Sequence, residues 1–468
     1  MSTKSKLSEG PPEELCRLAQ NVLEGKLDSE ENEKNESSRI LIDCAEFLFE
    51  VSKTPLEREQ ATKLASKWAK MEIKNNEKKL ISKNLEKLAI KSLMRLMPSG
   101  CSIIEDFPIN LQKTKKKFFF VKIKTPARID IAGGWTDTPP ITYDMDFSKV
   151  VNAAVMVDEK KPITVEIHKL IYFSGIWIQT KENLKFFKSK KEILKNAKNP
   201  NKNGSLICAA IITSGIFESK KKSNEFEIMK MNEKLNFEDD ETRGLLIRCH
   251  SDLPHGSGLG TSSILSGAVL AGIWTMFGRK FKNDDLIKAV ASVDSDSARS
   301  VTWKTIHLPD GFEDELNSRL GLIYTGKTRL AKDLLDTVIL NWIRGEPEMQ
   351  MAFRNLALDA ESAEIKLASG KFPIEEVSKY QELKKKVALG AEPDFVKDLI
   401  EDLKKEKLIE TAWIAGAGGG GFLYIFLSKN KNLKDLEIFV SKEKYLKFNL
   451  KISSIKIDNQ LLEIETLG

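Results

Sequence analysis

The segment from Leu245 to Phe277 constrains this chain more than any other. Leu245–His250 is strand-like, Pro254-His255-Gly256-Ser257-Gly258-Leu259-Gly260-Thr261-Ser262-Ser263 is a glycine-rich turn, and Ile264–Phe277 reads as an apolar helix. That succession leaves backbone N–H groups unpaired and aims the positive end of the helix dipole at the turn, which makes an anion site. Glycine lets backbone approach phosphate oxygens without a Cβ between them, while Thr261 and Ser262 add hydroxyls suited to phosphate or to a magnesium ion. The pattern is neither GxxxxGKS/T nor the GxGxxG of a dinucleotide fold. Its plain structural alternative is a flexible turn with a serine N-cap.

Two further segments carry unusual chemistry. In Pro126-Ala127-Arg128-Ile129-Asp130-Ile131-Ala132-Gly133-Gly134-Trp135-Thr136-Asp137, a strand ends in Gly-Gly and leads into a loop with Trp135 and Asp137. A carboxylate accepts hydrogen bonds from sugar hydroxyls and an aromatic ring stacks on their C–H faces. An Arg128–Asp137 ion pair fixing the turn is the alternative. Near the C-terminus, Gly418, Gly419, Gly420 and Gly421 stand before the apolar run Phe422–Phe426, as expected where backbone approaches another loop or a ligand closely.

The rest of the chain frames these segments. At 468 residues and 41% hydrophobic, it is long enough for two or three domains. Residues 11–97 show apolar stripes at helical spacing, such as Leu15, Leu18, Ala19 and Val22, and read as a helical leader. From Phe118 the texture becomes β-rich, and beyond Gly326 it predicts helices over Leu330–Ile343, Ala352–Leu367 and Glu375–Ala388, then strands near Phe422–Leu427 and Ile452–Ile457. The lysine-rich stretch Asn183–Asn203 reads as a solvated loop. Net charge is only +6, which names no nucleic-acid partner. Five scattered cysteines without a CxxC pair fit reduced thiols. The N-terminus has no apolar signal core and no apolar stretch reaches the roughly 20 residues of a bilayer span, so a cytoplasmic protein without a membrane segment is expected.

In this order and spacing, ARIDIAGGWTDTPP, VNAAVMVDEKKPI, SDLPHGSGLGTSSIL, YTGKTRLAKDLL and AGAGGGGFLYIF resemble the motifs of the GHMP small-molecule kinases, and within them the fucokinases. The resemblance implies an α+β, two-lobe fold: a leader over 1–115, an S5-like, ATP-binding lobe over 116–312 and a ferredoxin-like lobe over 313–468. It implies ATP-dependent phosphorylation of the anomeric hydroxyl of L-fucose. By the same resemblance, Pro254 and Gly256 to Ser262 would hold the ATP phosphates, with Ser262 on magnesium, and Arg128, Trp135 and Asp137 would serve the sugar and the chemistry. Gly418 to Gly421 would shape the site from the second lobe.

One departure stands out. In the family, the helix after the phosphate loop carries a magnesium-binding glutamate, followed by a GGGWQDQ-type loop whose aspartate acts on the sugar hydroxyl. Here the helix Asp284–Val293 runs to Asp294 at the glutamate position, then reads Ser295-Asp296-Ser297-Ala298-Arg299-Ser300 before a predicted strand over Val301–His307. No glycine lies between Gly278 and Gly311, so that loop is missing, with Asp296 as its stand-in. Two readings stay open: a sugar kinase, impaired to some degree, and a catalytically inactive relative that binds nucleotide or sugar. Oligomeric state is not legible.

Overall fold

The computed structural model describes residues 118–468 except 139–140, 182, 200–201, 218–241, 255–256, 295–300, 327–330, 345–346 and 389. The predicted helical leader, His255, Gly256 and Asp296 therefore lie outside the described residues.

Twelve strands form two six-stranded sheets among the described residues. They are β1 (Phe120–Thr125), β2 (Ala127–Ala132), β3 (Val151–Val157), β4 (Ile163–Leu170), β5 (Gly175–Gln179), β6 (Leu184–Phe187), β7 (Gly244–Ser251), β8 (Leu320–Tyr324), β9 (Ile409–Ile414), β10 (Phe422–Leu427), β11 (Lys451–Ile457) and β12 (Glu463–Leu467). The first sheet has the order β12-β1-β4-β7-β5-β6 and the second β2-β3-β11-β8-β10-β9. Only Pro126 separates β1 from β2, and there the chain changes sheets: proline has no N–H with which to continue a ladder. The sheets thus interleave along the sequence, because the C-terminal β12 closes the first and β2–β3 open the second.

The principal helices are α1 (Lys190–Ala197), α2 (Ser205–Thr213), α3 (Thr261–Met276), α4 (Asn283–Asp294), α5 (Ala331–Arg344), α6 (Pro347–Ala368), α7 (Ile374–Val387) and α8 (Asp394–Lys405). Strand β4 alternates, with Ile163, Val165 and Ile167 all buried, and that face receives α3. Gly272 brings α3 close: a Cβ there would lie 2.8 Å from Ile167 Cδ1. Strand β10 is buried on both faces. Leu423, Ile425 and Leu427 share a core with α8, while Phe422, Tyr424 and Phe426 share one with α6 and α7.

Two local expectations are corrected. The lysine-rich stretch is ordered rather than looped. Leu184–Phe187 pairs with β5, and α1 starts on a Ser189 N-cap whose side chain accepts from the Glu192 amide, burying Ile193 and Ala197 beneath the lysines. The predicted strand Val301–His307 joins neither sheet. Side-chain contacts hold it instead: Trp303 Nε1 donates to Asp284 Oδ1 at 2.5 Å, Lys304 pairs with Glu364, and Ile306 packs on the second core, the one that Phe422, Tyr424 and Phe426 share with α6 and α7.

Candidate functional site

The residues expected from the sequence to meet phosphate fall between a strand and a helix. Strand β7 ends at Ser251, and α3 starts at Thr261 because Gly260, at φ +68°, takes the left-handed N-cap conformation. The helix therefore begins three residues before its apolar run. Pro254 O accepts from the Ser257 amide at 3.1 Å, Leu259 is buried, and Ser257 Oγ lies 3.4 Å from Thr261 Oγ1. Ser262 is exposed on the first turn.

The structure adds a packing cause for glycine at these positions. A Cβ on Gly258 would meet Ala415 O at 2.7 Å, and one on Gly260 would meet Arg128 Nε at 2.9 Å. Protein atoms, not only a ligand, occupy those spaces. The loop is stitched to both other segments. Arg128 N donates to Leu259 O at 3.2 Å, Phe422 N donates to Ser257 O at 3.2 Å, and Tyr424 Oη donates to Gly258 O at 3.3 Å.

The glycine run acts through the same packing. A Cβ on Gly416 would lie 2.8 Å from Gly258 Cα, and one on Gly418 would lie 2.7 Å from Ala391 O. Gly419 N donates to Ala391 O at 2.6 Å, and Gly421 O accepts from both the amide and the hydroxyl of Thr325 at 2.9 Å. Gly420 is buried between them.

The Gly133–Asp137 loop closes the site. Thr136 Oγ1 donates to Gly133 O at 2.7 Å, and Ser148 Oγ donates to Thr136 O at 2.7 Å. Trp135 adopts φ +80°, rare for a bulky residue, and its half-buried ring packs on the second core with Nε1 buried and unpartnered. Asp137 keeps contact with solvent, but protein massed around its carboxyl pushes its pKa up; Arg128 opposes that shift and Asp130 adds to it.

Arg128 pairs with Asp130 rather than with Asp137: Nε lies 3.2 Å from Asp130 Oδ1. Asp130 is the main cause that keeps the guanidinium charged, against its own burial. Asp130 was not singled out from the sequence, although its position two residues after Arg128 on one strand puts both on one face. Tyr380 and Lys384 were missed as well, because one α7 turn carries them and no local pattern marks them. Lys384 is fully buried, donates to Ile414 O at 2.7 Å and lies 4.7 Å from the Tyr380 ring centre. Burial lowers its pKa to about 8, opposed by Asp130. Burial also raises the hydroxyls of Tyr380 and Tyr424 well above their ordinary values.

Asp294 is the last residue of α4. No cluster of three or more His, Cys, Asp or Glu side chains among the described residues could hold a metal by itself, and hydroxyls stand at the α3 start. No helix among the described residues is long and apolar enough to cross a membrane. The arrangement joins a helix N-terminus, an arginine and an accessible carboxylate, which suits one anion beside one hydroxyl-bearing molecule.

Residues 226–302 match the family model described as the GHMP kinases N terminal domain. The bifunctional fucokinase/GDP-fucose pyrophosphorylase of Arabidopsis thaliana is 24% identical over 361 residues, covering 71% of this chain and 32% of that protein. The L-fucokinase/L-fucose-1-P guanylyltransferase of Bacteroides fragilis is 25% identical over 334 residues, covering 64% of this chain and 34% of that protein. The chain thus spans about a third of the length of these curated relatives. Among solved structures, Methanococcus jannaschii mevalonate kinase superposes with a TM-score of 0.50 at 16% identity, over 74% of this chain and 100% of that one. Lactococcus lactis galactokinase complexed with galactose gives 0.50 at 14% identity, over 72% and 93%. The fold is shared with mevalonate kinase and galactokinase.

Proposed function

We propose that the chain is a GHMP-type kinase that phosphorylates the anomeric hydroxyl of L-fucose, using ATP; the match to the GHMP kinases N terminal domain, the likeness to curated fucokinases and the shared fold support this reading. One observation carries this reading: the Gly258–Ser262 turn meets Arg128, whose own segment also carries Asp137, and both segments are among those that resemble the family. By resemblance, Ser262 and Asp294 would hold the magnesium ion of Mg·ATP, which would supply neutralisation of the phosphate charge. The free N–H groups of the turn and the α3 dipole receive the phosphates, and Asp137 accepts hydrogen bonds from sugar hydroxyls. The anomeric oxygen attacks the γ-phosphorus, the bond to the bridging oxygen of ADP breaks, and the hydroxyl proton leaves for a base or for water. Arg128 offsets charge on the transferring phosphoryl group, which is the larger part of catalysis in phosphoryl transfer.

A specific feature favours a second reading, a binding protein that no longer turns over: the glycine-free interval between Gly278 and Gly311, where a base-bearing loop would stand. L-fucose-dependent ADP release by the full chain tests the first. Mg·ATP or sugar binding without ADP release would establish the second. Neither binding nor turnover would remove both.

A further inference from the structure

Asp130 is a carboxylate in the core, only 8% exposed, and such a group persists where its charge and its backbone are both held. Its backbone is gripped from β9 and β10. Trp413 Nε1 donates to Asp130 O at 2.6 Å, and the backbone of Asp130 hydrogen-bonds the Tyr424 hydroxyl, which in turn donates to Gly258 O in the phosphate loop. Trp413 and Tyr424 are cross-strand partners with ring centres 5.2 Å apart, so the two grips are themselves fixed to each other. The β2–β3 register shifts between Asp130 and Ala132, the sign of an irregularity that re-aims a side chain.

The carboxylate so placed meets Arg128 at Nε. The 3.2 Å separation at Nε is an ion pair without hydrogen-bond alignment, and Arg128 lies against Gly260, where a Cβ would be 2.9 Å from the same nitrogen. With Nε turned inward and the side chain 35% exposed, the two terminal nitrogens are the ones left to meet a ligand. We propose that Asp130 is a positioning residue, whose carboxylate holds the Arg128 guanidinium over the phosphate loop so that it meets the nucleotide phosphates already aligned. The proposal rests on the reading of this site as a Mg·ATP site. Asp130 touches no substrate; it acts through Arg128.

A double-mutant cycle on the full chain tests it, with Asp130→Asn, Arg128→Ala and the pair, read by calorimetric Mg·ATP affinity and by L-fucose-dependent ADP release. Asp130→Asn keeps the backbone clamp and the side-chain volume while removing the charge. We expect it to lower nucleotide affinity or kcat by about 10- to 100-fold, as a displaced catalytic group does, with the sugar KM unchanged within about twofold. The double variant should be no worse than Arg128→Ala alone. Additive losses would mean that Asp130 acts on its own, and wild-type performance by Asp130→Asn would mean that it does not act; a raised sugar KM would mark general damage. Each would overturn the proposal while leaving the site reading intact. A wild-type chain that neither binds nor hydrolyses Mg·ATP would instead remove the reading, and the proposal with it.

Discussion

Gly134 lies directly beneath Tyr380: a Cβ at Gly134 would stand 2.2 Å from the phenolic oxygen and 3.2 Å from the ring carbon that bears it. No positive φ is recorded at Gly134, so space rather than backbone conformation demands glycine. Gly134→Ala should destabilise the protein by about 1–3 kcal/mol, the usual range for overpacking. Removing the oxygen leaves the ring carbon as the nearest neighbour, so adding Tyr380→Phe should recover part of that loss. Urea unfolding of both variants checks this, and a double variant no more stable than Gly134→Ala would contradict the packing.

Lys384 links stability to pH in a predictable direction. Its pKa is lowered from 10.5 to about 8 by burial, so between those values the folded state binds fewer protons than the unfolded chain. Stability must rise with pH across that window, by an amount on the order of 3 kcal/mol if the whole shift is expressed. Lys384→Met loses the bond to Ile414 O but also loses this titration. The stability difference between wild type and Lys384→Met, followed by urea unfolding from pH 8 to 10.5, should therefore move in favour of wild type. A flat difference would show that the amine is not desolvated.

Gly260 tests the phosphate loop. Any Cβ there strains a left-handed residue and presses on Arg128. Gly260→Ala should cost about 1–3 kcal/mol of stability and should also abolish the rise in melting temperature on adding Mg·ATP. If the variant is destabilised but keeps the full nucleotide-induced rise, the turn does not hold phosphate.

Asp137 should separate the two ligands. Because it is accessible and its Arg128 contact is indirect, Asp137→Ala should remove two hydroxyl contacts and weaken sugar binding strongly while changing Mg·ATP affinity little. Equal loss of both affinities would mark it as a structural residue. Calorimetric titration with each ligand decides between them.

The parts of the fold that sequence exposes are those with a local cause. The Leu245–Phe277 succession, the helices beyond Gly326 and the Phe422–Leu427 strand were readable because apolar spacing and glycine punctuation are local. The joining of β12 to β1, and the meeting of Trp413 with Asp130 across 283 positions, depend on tertiary pairing that no window contains. Lys384 fails for a related reason: a lysine in a Lys-Lys-Lys run reads as solvent-facing, and only the fold buries the first of the three. Sequence likewise offered Asp137, nine positions away, as an alternative ion-pair partner for Arg128 and did not single out Asp130 on the same strand face.

The final expectation concerns turnover. A general base contributes about 10²–10⁴-fold to proton transfer, whereas phosphoryl transfer rests chiefly on positioning and charge neutralisation. The interval from Asp294 to Val301 offers Asp296 but none of the glycines that would aim an aspartate at the sugar, and Val301–His307 is held by Trp303 and Lys304 contacts rather than in a sheet. L-fucose-dependent ADP release should therefore fall roughly 10²–10⁴-fold below that of a relative carrying GGGWQDQ. Asp294→Asn should lower what remains by weakening the magnesium contact, although the side chain is one methylene shorter than a glutamate. If Asp296 serves as the base, Asp296→Asn should abolish the residue of activity and leave Mg·ATP binding untouched. Turnover equal to that of an intact relative and indifferent to both substitutions would place the base elsewhere, and Asp137, whose carboxyl burial already raises, would be the next group to replace.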